Sequence, residues 1–200
     1  MPAFLVSLLE SPTVPLAVLI LITVGLGVAA RAREDSRLLV GAVSAAAAAA
    51  TLGLAAWLVP TPGSRAVATI DRLVAAAEQA DFDGPEGMFA QLSDSASLHF
   101  GTDRSPGVGL EGLKSALRTL GRRHRIRENT VLSRSFRTIA PDRVMVELGC
   151  RTVTESSMGG PVVTGWSFEL RLDETSGRWV IQRVVFQTLG GRPADSRILR

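Results

Sequence analysis

Two long apolar runs dominate the pattern of hydrophobic and polar positions. Val14 to Ala30 carries no charge, and neither does Leu38 to Val59. Only RAREDSR, Arg31 to Arg37, separates them. A bilayer core of roughly 30 Å takes about 20 apolar helical residues to cross. Both runs approach that length and predict a hairpin of two membrane-spanning helices, with residues 1–60 as the anchor. A cleaved signal peptide is the alternative for the first run. MPAFLVSLLE, however, has no Lys or Arg and carries Glu10, whereas a signal peptide starts basic. A buried Ala-rich helix is the alternative for the second, and its length without a charge argues against that. Gly41, Ala45 and the Ala tract to Ala50 are small enough for helix backbones to approach closely. Trp57 stands near the end of the run, where an amphipathic ring favours the interface.

After Pro60 the pattern changes to ordinary alternation, which predicts a folded domain over 61–189. TPGS, Thr61 to Ser64, is a short linker with Ser64 as a candidate N-cap. Val67, Ile70, Leu73, Val74 and Ala77 recur at helical spacing up to the break at Gly84-Pro85. EGMFAQL reads as a short helical turn and Ser95 to Phe100 as a short strand. GTDRSPGVG is a loop. Leu110, Leu113, Leu117 and Leu120 mark a second amphipathic helix.

Four strand-like stretches follow. Thr130 to Ile139 and Val144 to Thr154 join at Pro141-Asp142. MGGP, Met158 to Pro161, is a loop. Val162 to Leu172 and Trp179 to Leu189 then join through DETSGR. Facing Leu172 with Val180 sets Leu170 on Gln182, Phe168 on Val184 and Trp166 on Phe186. The large apolar groups then share one side, and Glu169 meets Arg183 on the other. Helices at one end and strands at the other indicate an α+β fold. Residues 190–200 read as a flexible tail.

Composition changes this picture little. About 140 residues beyond the anchor suffice for one real core. The 22 basic residues include one Lys, Lys114, which reflects codon bias more than mechanism. A net charge of +3 does not point to nucleic acid. The single Cys, Cys150, excludes an internal disulfide and a thiolate zinc cage. Its alternating context suits a small buried hydrophobe. Arg31, Arg33 and Arg37 crowd the hairpin loop, so the positive-inside rule puts the loop in the cytoplasm and the domain outside it. The expected location is a bacterial-type inner membrane.

Three segments together resemble the nuclear transport factor 2-like superfamily, in particular its SnoaL-like branch. They are the long helix followed by MFAQLSDSASLHFG, the segment GLEGLKSAL, and the terminal WSFELRLDETSGRWVIQRVVFQ. The resemblance covers about Arg65 to Leu189 and does not include the anchor. It implies a curved antiparallel sheet wrapped around helices as a cone with a pocket. Members include isomerases, dehydratases, cyclases and many non-catalytic domains, so the fold does not settle function. The enzyme members draw on tyrosines, histidines and acids inside the cone. This chain has no Tyr and two His.

The remaining candidates are few. His99 in SLHFG faces away from the core if Leu98 and Phe100 face it. As a general base it would need an orienting carboxylate; Asp71, Glu147 and Glu169 are conceivable. Asp71, the other weak catalytic candidate, also suits a solvated helix face. Trp166, Phe168, Val184 and Phe186 are expected to line the pocket or fill the core of the sheet. Arg118, Arg122, Arg123, Arg125 and Arg127 make the densest basic patch. Cations favour the C-terminal end of a helix, and an anionic partner is the functional alternative, such as lipid headgroups or an acidic protein surface. Nucleic acid would need interleaved aromatics, and only Phe136 is near. No metal-ligand spacing, phosphate loop or nucleophile elbow is present, so no metal and no cofactor are expected. The sequence therefore favours a membrane-anchored, non-catalytic interaction or scaffold domain, with a protein partner or a homodimer through the sheet face. An apolar-ligand binder and a lyase or isomerase are the alternatives.

Overall fold

The computed structural model describes residues 13–33, 36–58, 60–102, 104–155 and 160–199. The N-terminal flank, residues 34–35 of the hairpin loop, Val59, the Trp57 side chain and Met158-Gly159 lie outside the described residues. The chain divides into two compact units, Met1–Ser64 and Arg65–Arg200.

The first unit contains two helices, α1 (Thr13–Arg33) and α2 (Ser36–Leu58). They run antiparallel. A methyl built on Gly41 would lie 3.4 Å from Leu26 Cδ1, and one on Gly53 would lie 3.9 Å from Leu16 Cδ2. Glycine thus leaves room for the facing leucines. Thr23 and Thr51 donate their hydroxyls to the carbonyls of Leu19 and Ala47, one turn back. That spares the helix surface an unpaired donor. Leu21, Val28, Val40 and Val43 are all more than 60% exposed, so an apolar belt faces outward. By length and composition one helix, α2, can cross a membrane over Ser36–Ala55, with mean hydropathy 2.0. The apolar part of α1, Leu16–Ala32, is shorter.

The second unit is α+β. Helix α3 (Pro62–Glu78) starts two residues before the expected cap. Thr61 is the cap: its Oγ1 accepts from the Ser64 N–H at 3.2 Å, and Pro62 takes the first helical position, where no N–H is needed. A 3₁₀ turn, Met88–Gln91, leads directly into β1 (Leu92–Phe100). Then come α4 (Leu110–Arg123), β2 (Ile126–Ala140), β3 (Arg143–Thr154), β4 (Val162–Asp173) and β5 (Arg178–Leu189). The sheet order is β1-β5-β4-β3-β2.

The expected all-antiparallel sheet is corrected in one place. β1 pairs with β5 in parallel, so the curved sheet is mixed. The segment between them includes α4 and the whole β2–β4 meander, which serves as the long crossover that a parallel pair requires. Register shifts interrupt the β2–β3 and β4–β5 ladders, and such bulges bend strands.

The register of the last hairpin also departs from expectation near its turn. Phe168 faces Val184 and Trp166 faces Phe186 as expected, but Leu170 faces Ile181 and Leu172 faces Trp179. The ladder shifts between Glu169 and Leu170, which leaves Gln182 as the extra residue. The cause is in the strand itself. Trp179 and Ile181 are out of phase with Val184 and Phe186, and one bulged residue turns all four to the same side. All four are buried.

That side is the core. Ala66, Ile70, Leu73 and Ala76 of α3 and Leu113 and Ala116 of α4 meet Val144, Val146, Leu148, Phe168 and Leu170 there. Thr69 is fully buried and donates to the Trp179 carbonyl at 3.3 Å, fastening α3 to β5. The β4–β5 turn is an Asx arrangement: Asp173 accepts from Thr175 N, Ser176 N and Ser176 Oγ, and Gly177 supplies φ +66°. The segment read as a tail continues the fold. β6 (Arg192–Pro193) pairs with β5, Ala194 donates to Gln187 O at 2.9 Å, and a 3₁₀ turn closes Ser196–Leu199.

Candidate functional site on the open sheet face

Side chains alternate across a sheet, so the residues between the core positions form a second face. On it, Met145, Glu169, Arg183 and Ser97 stand in one row across β3, β4, β5 and β1. Glu147, Ser167, Val185 and His99 stand in the next. Gly149 and Gly165 lie side by side in the row beyond. A methyl on Gly149 would come 2.5 Å from Ser133 Oγ, and one on Gly165 would come 2.6 Å from Thr188 Oγ1. The flanking side chains therefore lean over the two glycines.

This face holds a cavity of about 290 Å³. Glu147, Ser167, Glu169, Arg183, Gln187 and Thr102 supply its polar lining, with Met145 and Val185 as apolar floor. Glu169 is 14% exposed and shared between two arginines, Arg183 Nη1 at 3.3 Å and Arg143 Nε at 3.8 Å. Glu147 accepts one long hydrogen bond, from Ser135 Oγ at 3.4 Å. Ser167 is buried, yet its hydroxyl has no hydrogen-bond partner among the described residues.

His99 faces this side, away from Leu98 and the core. Its Nδ1 lies 2.9 Å from the Ser105 carbonyl and its Nε2 lies 3.1 Å from Ser97 Oγ. A carbonyl only accepts, so Nδ1 is the protonated nitrogen and, in the neutral ring, Nε2 accepts from Ser97. A methyl on Gly107 would come within 2.5 Å of the ring. His99 thus fastens the loop after β1, which also folds back through the Leu98–Val108 bridge. Neither of the cavity carboxylates, Glu147 and Glu169, contacts it.

The other candidates lie elsewhere. Asp71, on α3, pairs with Arg134 of β2 at a solvated position. Trp166, Phe168, Val184 and Phe186 belong to the core side, with Trp166 stacked on Phe186 at 4.1 Å and 13°. Phe100 meets Phe186 edge-on at 6.5 Å.

Arg118 is occupied by Asp83 at 2.8 Å and lies 4.7 Å over the Phe89 ring. Arg122 and Arg123 lie in the last turn of α4, Arg125 just precedes β2 and Arg127 is its second residue, all four exposed. Burial pushes the Cys150 thiol up from its ordinary range, which keeps it neutral and unreactive. Among the described residues no group of three His, Cys, Asp or Glu could hold a metal ion.

The cavity was not visible from the sequence. In the sequence Glu147 stands out only as a conceivable partner for His99, and Glu169 as that and as the cross-strand partner of Arg183. The alternation of Met145, Glu147 and Gly149 with Val144, Val146 and Leu148 marks an outward face. It does not show that the face is concave.

No family model matches the chain, and no curated protein sequence matches it. Solved structures do. A nuclear transport factor 2-like protein of unknown function from Pseudomonas putida is 12% identical at TM-score 0.51, covering 69% of this chain and 91% of that one. A ketosteroid isomerase-like protein from Erwinia carotovora is 17% identical at TM-score 0.48, covering 61% and 92%. The Kfla4162 protein of Kribbella flavida is 14% identical at TM-score 0.49, covering 68% and 95%. At 12% identity the likeness to the Pseudomonas putida protein shows the fold alone, which is nuclear transport factor 2-like.

Proposed function

We propose that this chain is a membrane-anchored interaction or scaffold domain without chemistry of its own. The observation that carries the reading is the filled interior. Trp166 stacks on Phe186 at 4.1 Å on the helix-covered side of the sheet, and Phe168 lies beside them. Among the described residues the buried polar groups are Thr61, Thr69, Gln91 and Ser167, none of which titrates near neutral pH. General acid–base work in such an interior needs a positioned carboxylate or imidazole.

The outward-facing apolar belt on α1 and α2 supports an anchor of two spans. Arg31, Arg33 and Arg37 at the hairpin end of the two helices favour a cytoplasmic turn and an extracytoplasmic domain. The open sheet face supplies the contact surface for a protein partner or a second copy.

The test begins with membranes from cells making the full chain. Alkaline extraction leaves the chain in the pellet, and removing residues 1–60 moves it to the supernatant. A photocrosslinker at Met145 yields one protein adduct of defined mass. An apolar molecule released stoichiometrically from the denatured chain, with no adduct at Met145, would overturn the scaffold reading in favour of ligand binding. A phosphatase fused after Arg200 is expected to be active; a silent fusion would reverse the orientation.

A further inference from the structure

We propose that the cavity on the open sheet face binds a small zwitterion, a molecule carrying a carboxylate and an ammonium a few ångströms apart. This goes beyond the scaffold reading, because the cavity lies on the face opposite the filled interior.

The cavity has the size for such a guest. Its volume of about 290 Å³ suits a small molecule and not a sterol or an acyl chain. Three of its polar groups make no side-chain hydrogen bond among the described residues. Ser167 is only 6% exposed, and its hydroxyl faces the cavity with no partner among the described residues. The Gln187 amide and the Thr102 hydroxyl line the same space and likewise make no side-chain hydrogen bond among the described residues. All three are open to the cavity, so a ligand can bond to them without breaking a contact of the fold.

The charges select the ligand class. Arg143 and Arg183 share one carboxylate, Glu169, each through a single long contact. That leaves guanidinium donors and one positive charge uncompensated at this end. Glu147 is a carboxylate whose single partner is a neutral hydroxyl 3.4 Å away, which leaves a negative charge uncompensated at the other end. Glu147 on β3 and Arg183 on β5 stand two strands and one row apart. Sheet spacing puts their Cα atoms about 12 Å apart. Ser167, on β4 between them, pairs with Glu147 on one side and Val185 on the other. A carboxylate in the cavity meets Arg183, an ammonium meets Glu147, and Ser167 lies between. An anion alone or a cation alone would satisfy one end and leave the other unpaired.

Three probes with one carbon skeleton separate these cases: γ-aminobutyrate, butyrate and butylamine. Each is titrated into the full chain in nanodiscs, with binding read by saturation-transfer NMR. γ-Aminobutyrate is expected to saturate and to bind at least about tenfold more tightly than either singly charged probe. Glu147→Gln, an exposed and fold-neutral change, should weaken γ-aminobutyrate about tenfold and leave butyrate unchanged. Ser167→Ala should weaken it about threefold. Equal binding of all three probes, no saturable binding up to about 50 mM, or indifference to Glu147→Gln would each overturn the proposal. None of these outcomes depends on the Met145 crosslink, so this proposal and the scaffold reading fail separately.

Discussion

The two faces of the sheet are made by the same strands, residue by alternate residue, and they differ in what burial has done. On the helix-covered side Val144, Val146, Leu170 and Ile181 are fully buried, and apolar contact alone accounts for them. On the open side Ser167 and Val185 are also buried, although no helix covers them. Neighbouring side chains and the Gly101–Thr102 corner do it, and they leave a space lined with polar groups. Burial that fills one face with carbon thus surrounds a cavity on the other. Stability should reside in the first face and recognition in the second.

The largest expected effect is on the device that keeps the faces apart. Deleting Gln182 removes the bulge and turns Trp179 and Ile181 to the open side. The loss should be about 4 kcal/mol or more, read as collapse of a cooperative urea transition. A wild-type midpoint would show that the bulge does not set the phase. Phe186→Ala on the covered face should cost about 3–5 kcal/mol by the same measurement, since it empties the place where Trp166 stacks.

Glu169→Gln on the open face should cost about 1 kcal/mol at most, because its arginine partners are 44% exposed and screened. A loss as large as that of Phe186→Ala would erase the contrast between the faces.

The smallest effect concerns the turn where both faces end. Hydrogen bonds from the Ser176 hydroxyl and the Thr175 N–H hold the Asp173 carboxyl below its ordinary value of 3.8. A depressed folded value makes this contribution present above the usual carboxylate range and lost as pH falls through the folded value. NMR titration should place the Asp173 midpoint below 3.8, and Ser176→Ala should raise it. A midpoint unmoved by Ser176→Ala would assign the shift to another group.

The elements were legible because their signals are local. Helical spacing in α3 and α4, alternation in β3 to β5, and the Glu169–Arg183 pair can each be read within a few residues. Two misreadings were local and one was long-range. Ser64 looked like a cap, but Thr61 followed by Pro62 is the better one, because proline lacks the N–H that the first helical position leaves unpaired. The hairpin register was right at Phe168 and wrong at Leu172, since one bulged residue changes the phase of everything toward the turn. β1 read as a short strand of unstated partner, and its parallel pairing depends on β5, which lies far along the chain.

The sequence by itself determined that an uncharged apolar helix precedes an α+β domain, and that the chain has no tyrosine. Those facts are written in residue types and in periods of two and 3.6. Tertiary structure alone decided that Trp166 and Phe186 stack inside, that His99 fastens a loop without touching a carboxylate, and that Glu147, Ser167 and Arg183 border one cavity. The physical reason is distance along the chain. These three residues come from three strands, and only the pairing of β3, β4 and β5 brings them together.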